Sequence, residues 1–259
     1  MRIDFHTHGK LAKQLPFSTV YTDWLFAQAK SAGLDAICLT EHFNTLQFDE
    51  LYRYIASVSR RAGDCLELEN GLRIFPGMET DVAECGHILS VGPLEAILEL
   101  NRRLAPYKAK GSFLPFAQLM DLFDQYPVTV GCGHPFRAPG HVPEQPVEQL
   151  KRLSFLDLNG KDIALDRERT ERLTYALAEK LELPVISGSD THQAVQYGCI
   201  STVLERDCTT FDEIFSQVRS SAQQAAFQVQ TASLLKRALK EIHALGGDYV
   251  SILTAKTVV

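Results

Sequence analysis

The sequence has no Cys-x-x-Cys pair, no surplus of basic residues, no internal repeat and no low-complexity tract. No apolar run approaches the roughly 20 residues that cross a bilayer. Each absence removes a class of protein. Six scattered cysteines (Cys38, Cys65, Cys85, Cys132, Cys199 and Cys208) offer no paired framework and read as reduced thiols of a cytoplasmic protein. Cys38 and Cys132 fall inside apolar, strand-like runs, where cysteine acts as a small buried hydrophobe. A net charge of −6 leaves no basic excess for phosphate backbones, so nucleic acid is not expected as a partner, although a small positive pocket is compatible with it. The chain runs straight into Ile3, Asp4 and Phe5, so a signal peptide is not expected, nor is a membrane span. No linker divides the 259 residues, and 45% hydrophobic content can fill one large core. We expect a single domain, with its core over about residues 1–205 and a C-terminal helical extension over 206–259.

What is present is an alternation of short apolar runs with helical patterns. Strands are expected at 3–5, 36–40, 72–75, 128–133, 155–158, 184–187 and 199–204, with a hairpin-like return over 87–91. Helices are expected at 23–31, 49–62, 94–104, 115–125, 167–181 and 211–219, the last capped by Thr210, with a further helix through 236–245. In the helix over 167–181, Leu173, Ala176, Leu177 and Leu181 are assigned to one face. This order specifies an α/β protein with a mainly parallel sheet. The loop 137–146, rich in Pro and Gly, is an active-site loop rather than a boundary.

The chemistry sits where the strands end. Residues two apart in a strand share a side, so His6 and His8 leave the first strand together. Later runs end in His42, Glu79, His134, and Asp190 with His192, while the return carries His87. Of eight histidines, only His141 and His243 lie outside the pattern. A parallel barrel gathers its strand ends at one mouth, so these groups point to a multinuclear metal site.

The stretches Asp4-Phe5-His6-Thr7-His8, Leu39-Thr40-Glu41-His42, Gly77-Met78-Glu79, Gly86-His87-Ile88-Leu89, Gly133-His134-Pro135-Phe136-Arg137, Leu158-Asn159-Gly160 and Ser187-Gly188-Ser189-Asp190-Thr191-His192 follow one another in order over residues 2 to about 200. In this the chain resembles the polymerase-and-histidinol-phosphatase (PHP) family of metal-dependent phosphoesterases. The resemblance implies a distorted (β/α)7 TIM-like barrel with two or three divalent ions, zinc, manganese or iron. It implies one ion held by His6, His8, Glu79 and Asp190, and a second by Glu79 as bridge with His87 and His134. A third would use His42 and His192 with a ligand from the loop after the first strand. Such ions lower the pKa of a bridging water and neutralise phosphate oxygens for in-line attack, with Glu79, Asp190 and His192 at the reacting centre.

The sequence departs from that pattern in one place. Where the family commonly has Asp or His, five or six residues after the second histidine, this chain has Lys13 and Gln14. Lys10 or Lys13 is a candidate to put a charge near the missing ion and pair with substrate phosphate; both as solvated loop residues is the alternative. Arg137 is a candidate phosphate ligand, against a surface salt bridge. Asn159 is read as bonding a substrate or a metal ligand, or as a cap at its strand end. Glu41 either orients a ligand or faces solvent. Asp4 is read as a structural hydrogen-bonding residue, His141 as an exposed loop histidine, and His243 as an ordinary helical one. The expected activity is hydrolysis of a small phosphomonoester. Hydrolysis at nucleic-acid ends and a non-catalytic metal-binding regulatory module are the alternatives.

Overall fold

The computed structural model describes residues 1–218. His243, the helix expected through 236–245 and most of the 206–259 segment lie outside the described residues. Strand β1 (Arg2–Thr7) is followed by α1 (Thr19–Ser31), β2 (Ala36–Leu39) and α2 (Phe48–Ser57). A hairpin of β3 (Ser59–Ala62) and β4 (Cys65–Leu68) leads into β5 (Arg73–Val82), which turns back as β6 (Gly86–Val91). Then come α3 (Leu94–Arg103), α4 (Phe116–Phe123), β7 (Thr129–Gly133), α5 (Val147–Leu150), β8 (Phe155–Asn159), α6 (Gly160–Leu165) and α7 (Arg167–Leu181). Strands β9 (Val185–Gly188) and β10 (Thr202–Val203) and helix α8 (Phe211–Val218) complete the described chain.

The strands run in the order β10-β1-β2-β5-β6-β7-β8-β9. Pairing is parallel from β1 through β2 to β5 and from β7 through β8 to β9, while β6 opposes both its neighbours, as β4 opposes β3 and β5 off this path. The path bends round until the segment after β9 meets β1. There the Asp190 N–H donates to the His6 carbonyl (2.8 Å) and the His8 N–H to the Thr191 carbonyl (2.9 Å). Lower on the same seam, β10 pairs antiparallel with β1. The closure needs a glycine, since a Cβ on Gly188 would stand 2.2 Å from the Cβ of His6. The result is the expected distorted TIM-like barrel, nearly closed.

One irregularity decides where the metal ligands point. Along β1 and β2, Asp4 pairs with Ile37 but Thr7 pairs with Leu39, so β1 carries one extra residue. A bulge of this kind resets the alternation of faces. Ile3 and Phe5 turn into the barrel's inner apolar cluster by ordinary alternation, and because of the bulge His6, just past them, also turns inward instead of outward. His8 follows two residues on.

Two apolar clusters result. The outer one packs Ile37, Leu39, Ile74, Leu156 and Leu158 under the helices. The inner one joins Ile3, Phe5, Ala36, Cys38, Phe75, Leu89, Phe155 and Ile186 to Phe211, Ile214 and Phe215 of α8. The Phe215 ring lies 5.6 Å from that of Phe155 and 6.2 Å from that of Phe5. Helix α8 thus plugs the barrel and belongs to its core, beyond the boundary near residue 205 drawn from sequence.

Other boundaries shift for local reasons. The helix expected over 49–62 ends at Ser57, because Ser59–Ala62 pairs with Cys65–Leu68 across a Gly63-Asp64 turn. Gly-Asp between two short runs is a hairpin signal that the helical spacing masked. The strand expected at 72–75 runs on to Val82: Pro76 is the last partner of β2, and from Gly77 onward β5 pairs with β6. Helix α1 starts at Thr19, capped by Ser18, earlier than expected. Helix α7 has the expected span, but its buried stripe is Thr170, Thr174, Leu177, Ala178 and Leu181, with Ala176 turned to solvent.

Candidate metal centre

Glu79 stands at the middle of the barrel mouth with five imidazoles round it. Its Oε1 lies 2.6 Å from His87 Nδ1, 3.1 Å from His134 Nε2 and 3.3 Å from His6 Nε2. Its Oε2 lies 2.7 Å from His42 Nδ1 and 3.6 Å from His8 Nε2. Asp190 completes the circle, its Oδ1 3.2 Å from His8 Nε2 and 3.8 Å from His6 Nε2. On the far side His192 Nε2 faces His42 Nε2 at 3.3 Å. Three overlapping sets, His6–Glu79–His134, His6–His8–Asp190 and His8–His42–His192, each bring their donor atoms within 4.8 Å of one another.

The backbone is bent to achieve this. His134 (φ 32°) and Asp190 (φ 58°) hold left-handed conformations that side chains other than glycine rarely adopt. Such strain, of order 1–3 kcal/mol each, persists only where the surroundings enforce it, and it gathers at functional sites.

Whether these residues suit a cation can be judged from their unmet demands. His6 Nε2 and both ring nitrogens of His8 are buried without a hydrogen-bond partner. A buried polar atom without a partner costs about 1–3 kcal/mol. Burial would lower the proton affinity of His6, yet Glu79, Asp157 and Asp190 carry it well above the ordinary range. Against the same burial, Asp190, Glu41 and Glu79 bring His8 up to about 9. Burial, helped by neighbouring positive charge, pushes His134 and His192 down to about 3. The centre therefore combines carboxylates that demand positive charge with neutral imidazoles that offer lone pairs. That donor set fits zinc, manganese or iron.

A second ring of groups aims the first. His6 Nδ1 meets Asp157 Oδ2 at 2.9 Å. The same oxygen accepts from the His134 backbone N–H and from Asn159 Nδ2. Asn159 Oδ1 in turn accepts from Arg137 Nη2 (2.7 Å) and caps α6 through the Lys161 N–H. Arg137 then donates from Nη1 to Asp190 Oδ2 and from Nε to Asp162 Oδ1. One hydrogen-bonded chain thus runs from His6 to Asp190. Carboxylates and carbonyls in this position fix the tautomer and direction of metal-binding imidazoles.

A family model for the PHP domain matches residues 4–253. The chain belongs to the PHP domain family. It is a metal-dependent phosphoesterase by that membership. The barrel is similar to the crystal structure of PsfC from Pseudomonas syringae PB-5123, at 25% identity and a TM-score of 0.70, covering 94% of this chain and 98% of that one. It is also similar to the lesion-specific endonuclease PfuEndoQ from Pyrococcus furiosus (16%, TM-score 0.63), where 87% of this chain matches 57% of that one. A putative metal-dependent phosphoesterase from Bifidobacterium adolescentis matches at 16% and a TM-score of 0.50, covering 85% and 96% of the two chains. Comparison with curated protein sequences finds no significant match.

The structure brings together all eight ligand candidates of this PHP domain, from His6 to His192. It treats the remaining candidates differently. Lys10 does not reach the mouth: 2% exposed, its Nζ donates to Thr45 Oγ1 and the Leu46 carbonyl. Lys13 Nζ lies 3.9 Å from Asp81 Oδ2, and Asp81 Oδ1 meets His87 Nε2 at 3.1 Å. Arg137 has every guanidinium nitrogen committed to its neighbours, and Asn159 is both cap and link in their chain. Glu41 does not face solvent. It is buried, accepts from the Gly9 and His42 N–H groups, and has Oε1 3.8 Å from His8 Nδ1. Although burial opposes ionisation, His8, His42 and Lys10 hold the Glu41 carboxyl at about 2. Asp4 has the structural role expected, accepting from the His6 and Ser189 N–H groups. His141 is an exposed loop residue, 3.1 Å from Glu144.

Asp157, Asp81 and Asp162 were not recognised from sequence. For Asp157 a signal existed: one carboxylate inside the apolar run Phe155-Leu156-Asp157-Leu158 needs a buried partner. Asp81 and Asp162 carry no such mark.

Proposed function

We propose that the chain hydrolyses a small phosphomonoester. The observation that carries this reading is Glu79, one buried carboxylate presenting its two oxygens to two groups of imidazoles. His6, His8, Glu79 and Asp190 would hold one divalent ion. Glu79, His134 and His87 would hold a second, and His42 and His192 with His8, in place of a loop ligand, a third. Bound there, the ions supply Lewis acidity toward phosphate and a nucleophile at neutral pH. The protein's own part is orientation. Asp157 holds His6 by Nδ1 so that Nε2 points into the centre, Arg137 holds one oxygen of Asp190 so that the other is free, and Asp81 turns His87. The barrel wall keeps solvent from the inner ligands: His6, His8 and Glu79 are buried. Lys13 stands at the rim with its ammonium paired to Asp81, so its charge is directed to the residue that turns His87.

Action on nucleic-acid ends is the second reading. Proteins of similar fold include a lesion-specific endonuclease, but at 16% identity that likeness carries the fold alone. The net charge of −6 weighs against an extended phosphate-backbone surface. Phosphate release from a monoester panel by manganese- or zinc-loaded protein decides between the two. We expect turnover of monoesters that is lost in Glu79→Gln. Inert monoesters with mononucleotides released from an oligonucleotide would overturn the proposal. Metal content of the loaded protein reports on the loop: three ions per chain would show that Lys13 and Gln14 do not prevent a third site.

A further inference from the structure

Next to the centre, on the α6–α7 side, lies a pocket of about 410 Å³ whose wall includes His134, Phe136, Arg137, Lys161, Leu165 and Arg169. Its charges fall into two groups. Each acidic residue in the wall has a hydrogen-bonded partner other than Lys161 Nζ or the Arg169 guanidinium. Asp157 serves His6 and Asn159, Asp162 pairs with Arg137, and Asp166 caps α7 by accepting from the Arg169 backbone N–H. Arg137 is matched by Asp162 and Asp190. Among the described residues, the ammonium of Lys161 and the guanidinium of Arg169 have neither an ion pair nor a hydrogen bond. The chain breaks its helix at Asp166, so Lys161 in the first turn of α6 and Arg169 in the first turn of α7 border the same space. Leu165, 60% exposed, adds an apolar rim between them. The volume lies in the range of small-molecule sites.

We infer that this pocket is a second anion subsite, which takes a carboxylate or phosphate carried by the substrate at the end opposite the scissile phosphate. Lys161 and Arg169 grip that group, and the carbon skeleton lies along Leu165 and Phe136. The assignment rests on the phosphomonoesterase reading and narrows it to substrates with two anionic ends. A side chain already paired offers an incoming anion little, because binding must first break the pair. Two unpaired cations over a partly apolar wall pay no such penalty.

Calorimetry and kinetics on the metal-loaded full chain test it. The probes are 6-phosphogluconate (a distal carboxylate), fructose 1,6-bisphosphate (a distal phosphate), their neutral-ended counterparts glucose 6-phosphate and fructose 6-phosphate, and p-nitrophenyl phosphate. We expect at least one doubly anionic probe to bind tenfold or more tighter than its counterpart. The carboxylate and phosphate arms show which anion is preferred. In the Lys161→Met/Arg169→Gln double variant that preference disappears, while p-nitrophenyl phosphate turnover and the melting temperature stay unchanged. Lys161→Arg retains the preference. Equal binding of both members of each pair by the wild type, or a preference that survives the double variant, overturns the subsite even if p-nitrophenyl phosphate is cleaved. Loss of all turnover with the binding preference intact overturns the phosphatase reading and leaves the subsite standing. Tighter binding of the dinucleotide pTpT than of either sugar probe, abolished in the double variant, would replace the small-molecule assignment with a nucleic-acid one.

Discussion

The two ends of the barrel's interior are built by the same strands and have opposite character. At one end Ile3, Phe5, Phe75, Leu89 and Phe155 close on Phe211 and Phe215, with every group apolar and packed. At the other, His6, Glu79, His87 and Asp157, only a few residues further along or before on those same strands, crowd together with unpartnered nitrogens. The first end gains from burial what the second gives up. A centre that crowds so many charged and polar groups needs a rigid support, and α8 plugging the opposite end provides one.

The comparison can be broken from either side. The largest effect is expected from Glu79→Gln, which keeps the shape but removes the charge shared between both groups of imidazoles. Its kcat/KM should fall by about 10³ or more, roughly 4 kcal/mol, with little change in the unfolding of metal-free protein. A variant with wild-type turnover would remove Glu79 from the centre. Phe215→Ala acts at the other end. It should cost about 3–5 kcal/mol in urea-induced unfolding while the protein that remains folded keeps its metal stoichiometry. If metal content fell in step with stability, the two ends would not be separable.

Chelation sharpens the contrast. Removing the ions from protein loaded at about 100 times Kd should lower stability by about 2.7 kcal/mol for each ion held, read as a drop in melting temperature. No shift on chelation would mean that the orphaned nitrogens of His6 and His8 are met in some other way. The smallest effect is expected from Asp157→Asn, which leaves the ligands in place and loosens the aim of His6. Metal affinity should weaken about 10–100-fold in a competition with a fluorescent chelator. An unchanged affinity would reduce Asp157 to a buried structural carboxylate.

Much of the centre was legible because metal ligands are unusual residues in usual places. A histidine or carboxylate directly after an apolar strand has no packing reason to be there, so His6, His8, His42, Glu79, His134, Asp190 and His192 could be collected from position alone. Supporting groups have no such mark. Glu41 beside His42 looks like any solvated strand-end residue, and only the fold buries it under His8. Arg137 looked free to bind phosphate, but partners from β8, α6 and the segment after β9 each hold one of its three nitrogens. Lys10 and Lys13 looked equivalent in the loop, yet one is buried against Thr45 and the other stands at the rim.

Helix and strand order followed local pattern and was largely readable, because periodicity and caps are properties of neighbouring residues. Register was not. The extra residue between Asp4 and Thr7 in β1 leaves no trace in the sequence, since a bulge exists only relative to the strand beside it. The sequence by itself determined that imidazoles and carboxylates would follow or flank apolar strand runs, although Glu79 lies within the longer β5. The tertiary structure decided that they face inward and meet, because pairing across the seam at Gly188 and the bulge against β2 set which side of β1 His6 and His8 occupy.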